Sequence, residues 1–133
     1  MRVGFTGTQH GMTDAQAARL NTLLVLYDCT EFHHGDCIGA DAQAHDIAQS
    51  LPASIVIHPP TDSSKRAFKD GGMLLPRLPY LERNHAIVDT TELLIATPHQ
   101  STEVLRSGTW ATIRYARRIG SRCIVINLDG SLS

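Results

Sequence analysis

Four consecutive residues combine one cation with small side chains that form hydrogen bonds. Arg106, Ser107, Gly108 and Thr109 stand directly before a segment with the apolar spacing of an amphipathic helix. A serine or threonine at this place can cap the free N–H groups of the first helical turn. The same N–H groups, with an arginine beside them, can instead bind an anion such as phosphate. Taken alone, these residues leave both roles open.

Short β-branched or apolar runs alternate with helical patterns along the chain. The predicted strands are 3–6, 31–35, 54–58, 92–96 and 123–127, and the predicted helices start near 14, 40, 80 and 108. Such an alternation with right-handed crossovers predicts an α/β fold. We expect a three-layer, Rossmann-like, doubly wound parallel sheet of about five strands in the order 3-2-1-4-5. Residues 1–133 would form a single domain.

The predicted strand order gives the run at 106–109 its context. In a doubly wound sheet, ligands bind at the carboxyl ends of the strands, near the point where the strand order reverses. That point lies between the first and fourth predicted strands. The loop after the first strand contains Gly7, Thr8 and Gln9, and the loop after the fourth runs from Thr97 into 106–109. This position favours anion binding over capping alone.

Further candidate ligand-binding residues belong to the same edge of the predicted sheet. They are Gly35, Asp36, Gly39 and Asp41 after the second strand, and Arg83 and Asn84 early in the third helix. The two glycines allow a positive φ or a close approach of backbone to ligand. Asp41 either complements the positive end of its helix or contacts ligand hydroxyls. Arg83 is either a solvated charge or a partner for phosphate or carboxylate.

One long segment, at about 59–79, lacks clear periodicity. It contains the basic residues Lys65, Arg66, Lys69 and Arg77 and exceeds ordinary connections of about 4–6 residues. It is either a mobile surface excursion or a basic lid over an anionic ligand.

Composition limits the classes of partner. The 133 residues include 12 basic and 13 acidic side chains, and this balance disfavours nucleic acid and membrane surfaces as partners. No apolar run approaches the roughly 20 residues of a membrane span. Three cysteines without CxxC spacing predict reduced thiols and a cytoplasmic location. Zinc-ligand spacing, GxGxxG, Walker A and GxSxG motifs are absent, so neither a metal nor a cofactor is expected.

Four short motifs in order, "FTGTQ", "HGDCIGAD", "LERN" and "SGT", resemble the SLOG superfamily. These Rossmann-like domains include the Lonely guy phosphoribohydrolases and DNA-processing proteins of the DprA/Smf type. The resemblance extends over most of the chain and is greatest to small, uncharacterised members. It implies a nucleotide or nucleotide-derived ligand and a homodimer or higher homo-oligomer.

The hydrolase branch of that superfamily carries an "ERK"-like motif and "PGGxGTxxE". Here "ERN" supplies Arg83 but places Asn84 where the lysine stands. Thr112 occupies the position of the glutamate, which would stabilise an oxocarbenium-like transition state. The prediction is therefore nucleotide binding, as a sensor or a nucleotide-processing protein, with phosphate at the amides of Gly108 and Thr109 and Arg83 beside it.

Two alternatives remain open at this point. The chain could be a nucleoside-monophosphate N-glycosidase that uses Arg83 with a displaced carboxylate from Asp36, Asp41 or Glu103. It could also bind single-stranded DNA, although its neutral charge and few aromatic residues provide little for base stacking.

Overall fold

A computed structural model describes residues 1–133 and contains six strands and four helices. The strands are β1 (Arg2–Gly7), β2 (Glu31–His34), β3 (Ser54–Ile57), β4 (Met73–Leu74), β5 (Leu93–Thr97) and β6 (Arg122–Val125). The helices are α1 (Asp14–Leu26), α2 (Ala40–Gln49), α3 (Tyr80–Asp89) and α4 (Gly108–Arg118). All strands lie in one parallel sheet, in the order β4-β3-β2-β1-β5-β6. The α/β, Rossmann-like layout is as predicted.

The sheet has six strands, and its order therefore differs from the five-strand prediction. The additional strand, β4, lies inside the segment 59–79 and pairs with β3 at the sheet edge, where Met73 is opposite Val56. Two residues are too few to show a periodic pattern, because alternation is recognisable only over four or more positions.

Helices cover both faces of the sheet. Along β5, Leu93 and Ile95 pack in the large core that α1 and α2 share. Leu94 and Ala96 point to the opposite face, where they pack with residues of α3 and α4. All five residues of β5 are buried, because successive side chains of a strand point to opposite faces.

The segment 59–79 is held to the loop between β2 and α2 by backbone hydrogen bonds. The N–H of Ile38 donates to the carbonyl of Lys65 at 2.9 Å, and that of Ala67 donates to the carbonyl of Asp36 at 2.7 Å. This part of the segment therefore lies against the loop between β2 and α2.

The connections at two helix starts have clear local causes. Thr13 and Gln16 form a capping box at the start of α1. Gly39 precedes α2 with a φ of +85°, a conformation that favours glycine. None of the four helices combines the length and apolar character needed to cross a bilayer.

Candidate functional site

A cavity of about 730 Å³ opens at the carboxyl ends of β1, β2 and β5. Its walls come from the loops after these strands and from the first turns of α2, α3 and α4. The strand order reverses between β1 and β5, so the cavity lies at the point where open α/β sheets bind ligands. Its volume is within the usual range of about 300–1,000 Å³ for small-molecule sites.

Most of the predicted site residues converge on this cavity. Those that line it are Gly7, Thr8, Gln9, Gly35, Asp41, Arg83, Asn84, Arg106, Ser107, Gly108 and Thr109. They come from four separate parts of the sequence, and the parallel sheet brings them to one edge.

Two of the predicted acidic residues lie outside the cavity. The carboxylate of Asp36 is completely buried, pairs with Arg66 Nε at 2.8 Å and accepts the N–H of Lys69 at 3.0 Å. Glu103 is exposed and pairs with Arg114 at 3.0 Å. Asp36 therefore fastens the 59–79 segment to the fold, and Glu103 forms a surface ion pair.

Gly39 and Thr97 also do not line the cavity. A Cβ on Gly39 would collide with the backbone of Gln9, so this glycine permits contact between two loops rather than contact with a ligand. Thr97 is fully buried beside Gly7, where a Cβ would lie 2.5 Å from the Thr97 hydroxyl oxygen. Both residues support the cavity from behind.

The start of α4 combines the two roles considered for 106–109. Ser107 is the N-cap, and its hydroxyl accepts the N–H of Trp110 at 3.2 Å. The N–H groups of Gly108 and Thr109 have no partner within the chain, and both residues line the cavity. The helix is therefore capped and still presents two free N–H groups at its positive end.

Arg83 is a buried cation without an anionic partner. Arg83 is 6% exposed, and its Nη1 donates to the carbonyls of Gly35 at 2.6 Å and His58 at 3.2 Å. Nε donates to the side-chain oxygen of Asn84 at 2.8 Å. The ion pairs of the chain all involve other residues, so no carboxylate lies within 4 Å of Arg83. Nη2 makes no hydrogen bond within the chain.

Asp41 is the buried carboxylate of the cavity. Oδ2 accepts the N–H of Gly35 at 3.2 Å and that of Cys37 at 3.1 Å, whereas Oδ1 has no partner. Burial raises the pKa of Asp41 to about 6, although the charge of Arg83 and the two backbone N–H groups act in the opposite direction.

Several cavity residues were not predicted. Among them are the aromatic residues His10, Tyr80, His99 and Trp110. The rings of His10 and His99 lie 4.4 Å apart, on the loops after β1 and β5. Both histidines adjoin predicted site loops in the sequence, and this adjacency was the available signal.

Of the four basic residues in the segment, Lys65 lines the cavity. Arg66 pairs with Asp36, and Lys69 pairs with Asp46 at 2.7 Å. Of the basic residues considered as a lid, the structure therefore places Lys65 alone at the cavity wall.

Four buried histidines form two hydrogen-bonded pairs outside the cavity. His34 Nδ1 accepts the N–H of Asp36, so a neutral His34 donates from Nε2 to His45 Nδ1, at 2.9 Å. His45 then donates to the carbonyl of Asp70 at 2.7 Å. His33 and His58 form the second pair, on the other side of β2, at 2.7 Å. Burial lowers the pKa of His34 to about 3 and that of His58 to about 4.

These two pairs account for the ring contacts of four of the seven histidines. Nowhere in the fold do three or more His, Cys, Asp or Glu side chains converge in an arrangement suited to a metal ion.

Comparison with known proteins gives a fold but no family. No protein-family model matches the chain, and no curated protein matches it. A molybdenum cofactor binding protein from Rippkaea orientalis superposes with a TM-score of 0.71 at 18% identity, over 94% of this chain and 75% of the other. The Moco Carrier Protein from Chlamydomonas reinhardtii superposes with a TM-score of 0.64 at 16% identity, over 96% and 75%. At these identities, the likeness establishes a shared Rossmann-like fold.

Proposed function

We propose that this protein binds an anionic small molecule, a nucleotide or a nucleotide-derived compound, in the cavity at the carboxyl edge of the sheet. The observation that carries the proposal is the burial of Arg83 without an anionic partner. Burial of a guanidinium is costly unless an opposite charge and good hydrogen bonds compensate it. Within the chain Arg83 has carbonyl partners but no carboxylate within 4 Å. A phosphate or carboxylate of a ligand would supply the missing charge.

The start of α4 supports the same proposal independently. The free N–H groups of Gly108 and Thr109 stand at the positive end of an 11-residue helix. Anions bind at such helix ends through the N–H groups and the helix dipole. Arg106 and Lys65 add positive charge at the cavity walls.

The molybdenum cofactor is a second candidate ligand. Both structural neighbours are named for binding or carrying it, and their fold matches nearly the whole of this chain. A cavity of about 730 Å³ at the strand-order reversal suits an organic cofactor as well as a mononucleotide. Elemental analysis for molybdenum, on protein purified from a host that makes this cofactor, tests the candidate.

A hydrolase is the weaker alternative. Of the three carboxylates considered for glycosidic cleavage, Asp41 is the one that lines the cavity. Thr112 donates its hydroxyl to the carbonyl of Gly108 at 2.9 Å and supplies no charge. We therefore propose binding without turnover, so that base release from AMP or GMP, followed chromatographically, should remain at the level of a protein-free control.

We further propose that the ligand is of the nucleotide-derived kind that the SLOG resemblance implies. We also propose that the chain forms a homo-oligomer and is located in the cytoplasm. Light scattering at micromolar concentration tests the homo-oligomeric state, and a monomer at that concentration would refute it.

Calorimetric titration with AMP, GMP and ADP-ribose tests the main proposal. We expect at least one compound to bind with a dissociation constant below about 1 mM, which corresponds to about 4 kcal/mol. Arg83→Met should weaken that binding, and Arg83→Lys should weaken it less, because lysine keeps the charge but loses the planar fork.

Arg118→Ala is the matched control, because Arg118 is exposed in the last turn of α4, at the end far from the cavity. Absence of binding by all three compounds, or equal affinity in the parent and Arg83→Met, would refute the nucleotide proposal.

A further inference from the structure

Several hydrogen-bond donors of the residues that line the cavity have no partner within the chain, and the buried acceptor there without a partner is Oδ1 of Asp41. The donors include the free N–H groups of Gly108 and Thr109, the guanidinium of Arg83 and the indole N–H of Trp110. Trp110 is 95% buried, and its Nε1 has no partner within the chain. A ligand that carried acceptors alone would satisfy these donors but would repel a carboxylate.

One carboxylate oxygen of Asp41 has no hydrogen-bond partner within the chain. Oδ2 is occupied by the N–H groups of Gly35 and Cys37. Oδ1 is buried without any partner, although the residue lines the cavity and is itself only 5% exposed. A buried polar atom is expected to be hydrogen-bonded, so an unpaired oxygen at a cavity wall indicates a missing donor.

Asp62 is the other carboxylate that lines the cavity, but it has no buried oxygen without a partner. It is exposed, and its Oδ1 already accepts the N–H of Ser64 at 3.0 Å. Selectivity for a donor on the ligand would therefore depend on Asp41.

From this arrangement we infer that Asp41 is a specificity-determining residue, whose Oδ1 accepts a hydrogen bond from an N–H or O–H group of the ligand. The ligand class is then a compound that carries both an anion and a neutral hydrogen-bond donor. In a nucleotide, the donor is either an amino group of the base or a hydroxyl of the ribose. This inference rests on the proposed function, because it concerns the same cavity.

The variant Asp41→Asn reverses the hydrogen-bonding character of this position at nearly constant shape. The amide oxygen of asparagine can take the place of Oδ2 and accept the N–H groups of Gly35 and Cys37. Its NH₂ group then replaces Oδ1, so an acceptor becomes a donor. A ligand donor at this position would meet another donor.

Two calorimetric series, on the parent and on Asp41→Asn, identify the source of the donor. In the base series, GMP, IMP and XMP carry an amino group, a hydrogen or a carbonyl oxygen at the 2-position, and AMP carries an amino group at the 6-position, where IMP has a carbonyl oxygen. AMP and its 2′-deoxy and 3′-deoxy analogues differ in one ribose hydroxyl. We expect the parent to favour the donor-bearing compound at least about tenfold in one series, and Asp41→Asn to lose that preference. Arg118→Ala should keep the parent's ratios.

The outcomes separate this inference from the proposed function. If all six nucleotides fail to bind the parent, the nucleotide proposal is refuted and the inference fails with it. If nucleotides bind the parent without preference in either series, the inference about Asp41 is wrong and the nucleotide proposal stands. This outcome is measured on the parent protein alone. If Asp41→Asn keeps its fold by circular dichroism and also keeps the parent's preference, Asp41 does not determine specificity.

Discussion

Arg83 and Asp41 bind the backbone of the same residue, Gly35, one at its carbonyl and the other at its N–H group. Arg83 Nη1 donates to the carbonyl of Gly35 at 2.6 Å, and the N–H of Gly35 donates to Asp41 Oδ2 at 3.2 Å. The two opposite charges are thus placed side by side at the end of β2 without a direct ion pair. Each keeps one group, Nη2 or Oδ1, without a partner in the chain. Both residues line the cavity.

Gly35→Ala should disturb this arrangement. A Cβ at Gly35 would lie 2.5 Å from Arg83 Nη1 and 2.7 Å from its Cζ. The guanidinium would have to move, with a loss of about 1–3 kcal/mol of stability, the usual cost of overpacking. Urea unfolding measures this loss, and calorimetry should show weaker nucleotide binding.

Gly108→Ala is the matched control for the stability part, because a Cβ there meets no atom within 4 Å. A Gly35→Ala variant as stable as Gly108→Ala would show that Arg83 relaxes without cost.

Gly108→Ala itself tests the start of α4. Alanine suits a helix better than glycine, so the stability of the fold should change by at most about 1 kcal/mol. If a ligand anion approaches the N–H groups of Gly108 and Thr109, the added methyl group will obstruct it, and affinity will fall. Calorimetry with the tightest-binding nucleotide measures this effect, with Arg118→Ala as control. Unchanged affinity would mean that the residues 106–109 act as a helix cap alone.

Arg66→Met should strongly destabilise the fold. The Asp36 carboxylate is fully buried, and removal of its cation leaves a buried charge unpaired, at a cost of about 3–5 kcal/mol. Lys69→Met, in the same segment, breaks a pair whose aspartate partner, Asp46, is 61% exposed. The expected loss is below about 1 kcal/mol. Equal urea midpoints for the two variants would contradict a structural role for the Asp36–Arg66 pair.

The His34–His45 pair should make the protein sensitive to acid. Burial lowers the pKa of His34 to about 3, from an ordinary value of 6.5. The unfolded chain therefore binds this proton as the pH falls below 6.5, while the folded chain does not. The stability due to a neutral His34 is complete above that pH, and about 2 kcal/mol of it is lost by pH 5. Asp41 has the opposite sign, because its raised pKa makes the folded chain bind a proton first.

His34→Asn separates these contributions. The asparagine oxygen can still accept the N–H of Asp36 but does not titrate. Unfolding free energies from pH 7.5 to 5 should decline less in the variant than in the parent. The same decline in both would mean that His34 does not govern acid unfolding.

The sequence was sufficient to predict the features that depend on local patterns. The helices predicted to start near 14 and 80 begin at Asp14 and Tyr80. Because parallel strands carry their loops to one edge, the strand pattern also led to the carboxyl-end position of most of the predicted site residues.

The tertiary structure decided the features that depend on residues far apart in the chain. β4 exists because Met73 and Leu74 meet the edge of β3, and two residues carry no periodic signal of their own. Asp36 lies outside the cavity because Arg66, thirty positions later, pairs with it. Gly35, in the loop after β2, accommodates the guanidinium of Arg83, which comes from α3. Burial, unpaired polar atoms and shifted pKa values arise from packing among distant segments, and residue types alone therefore could not assign them.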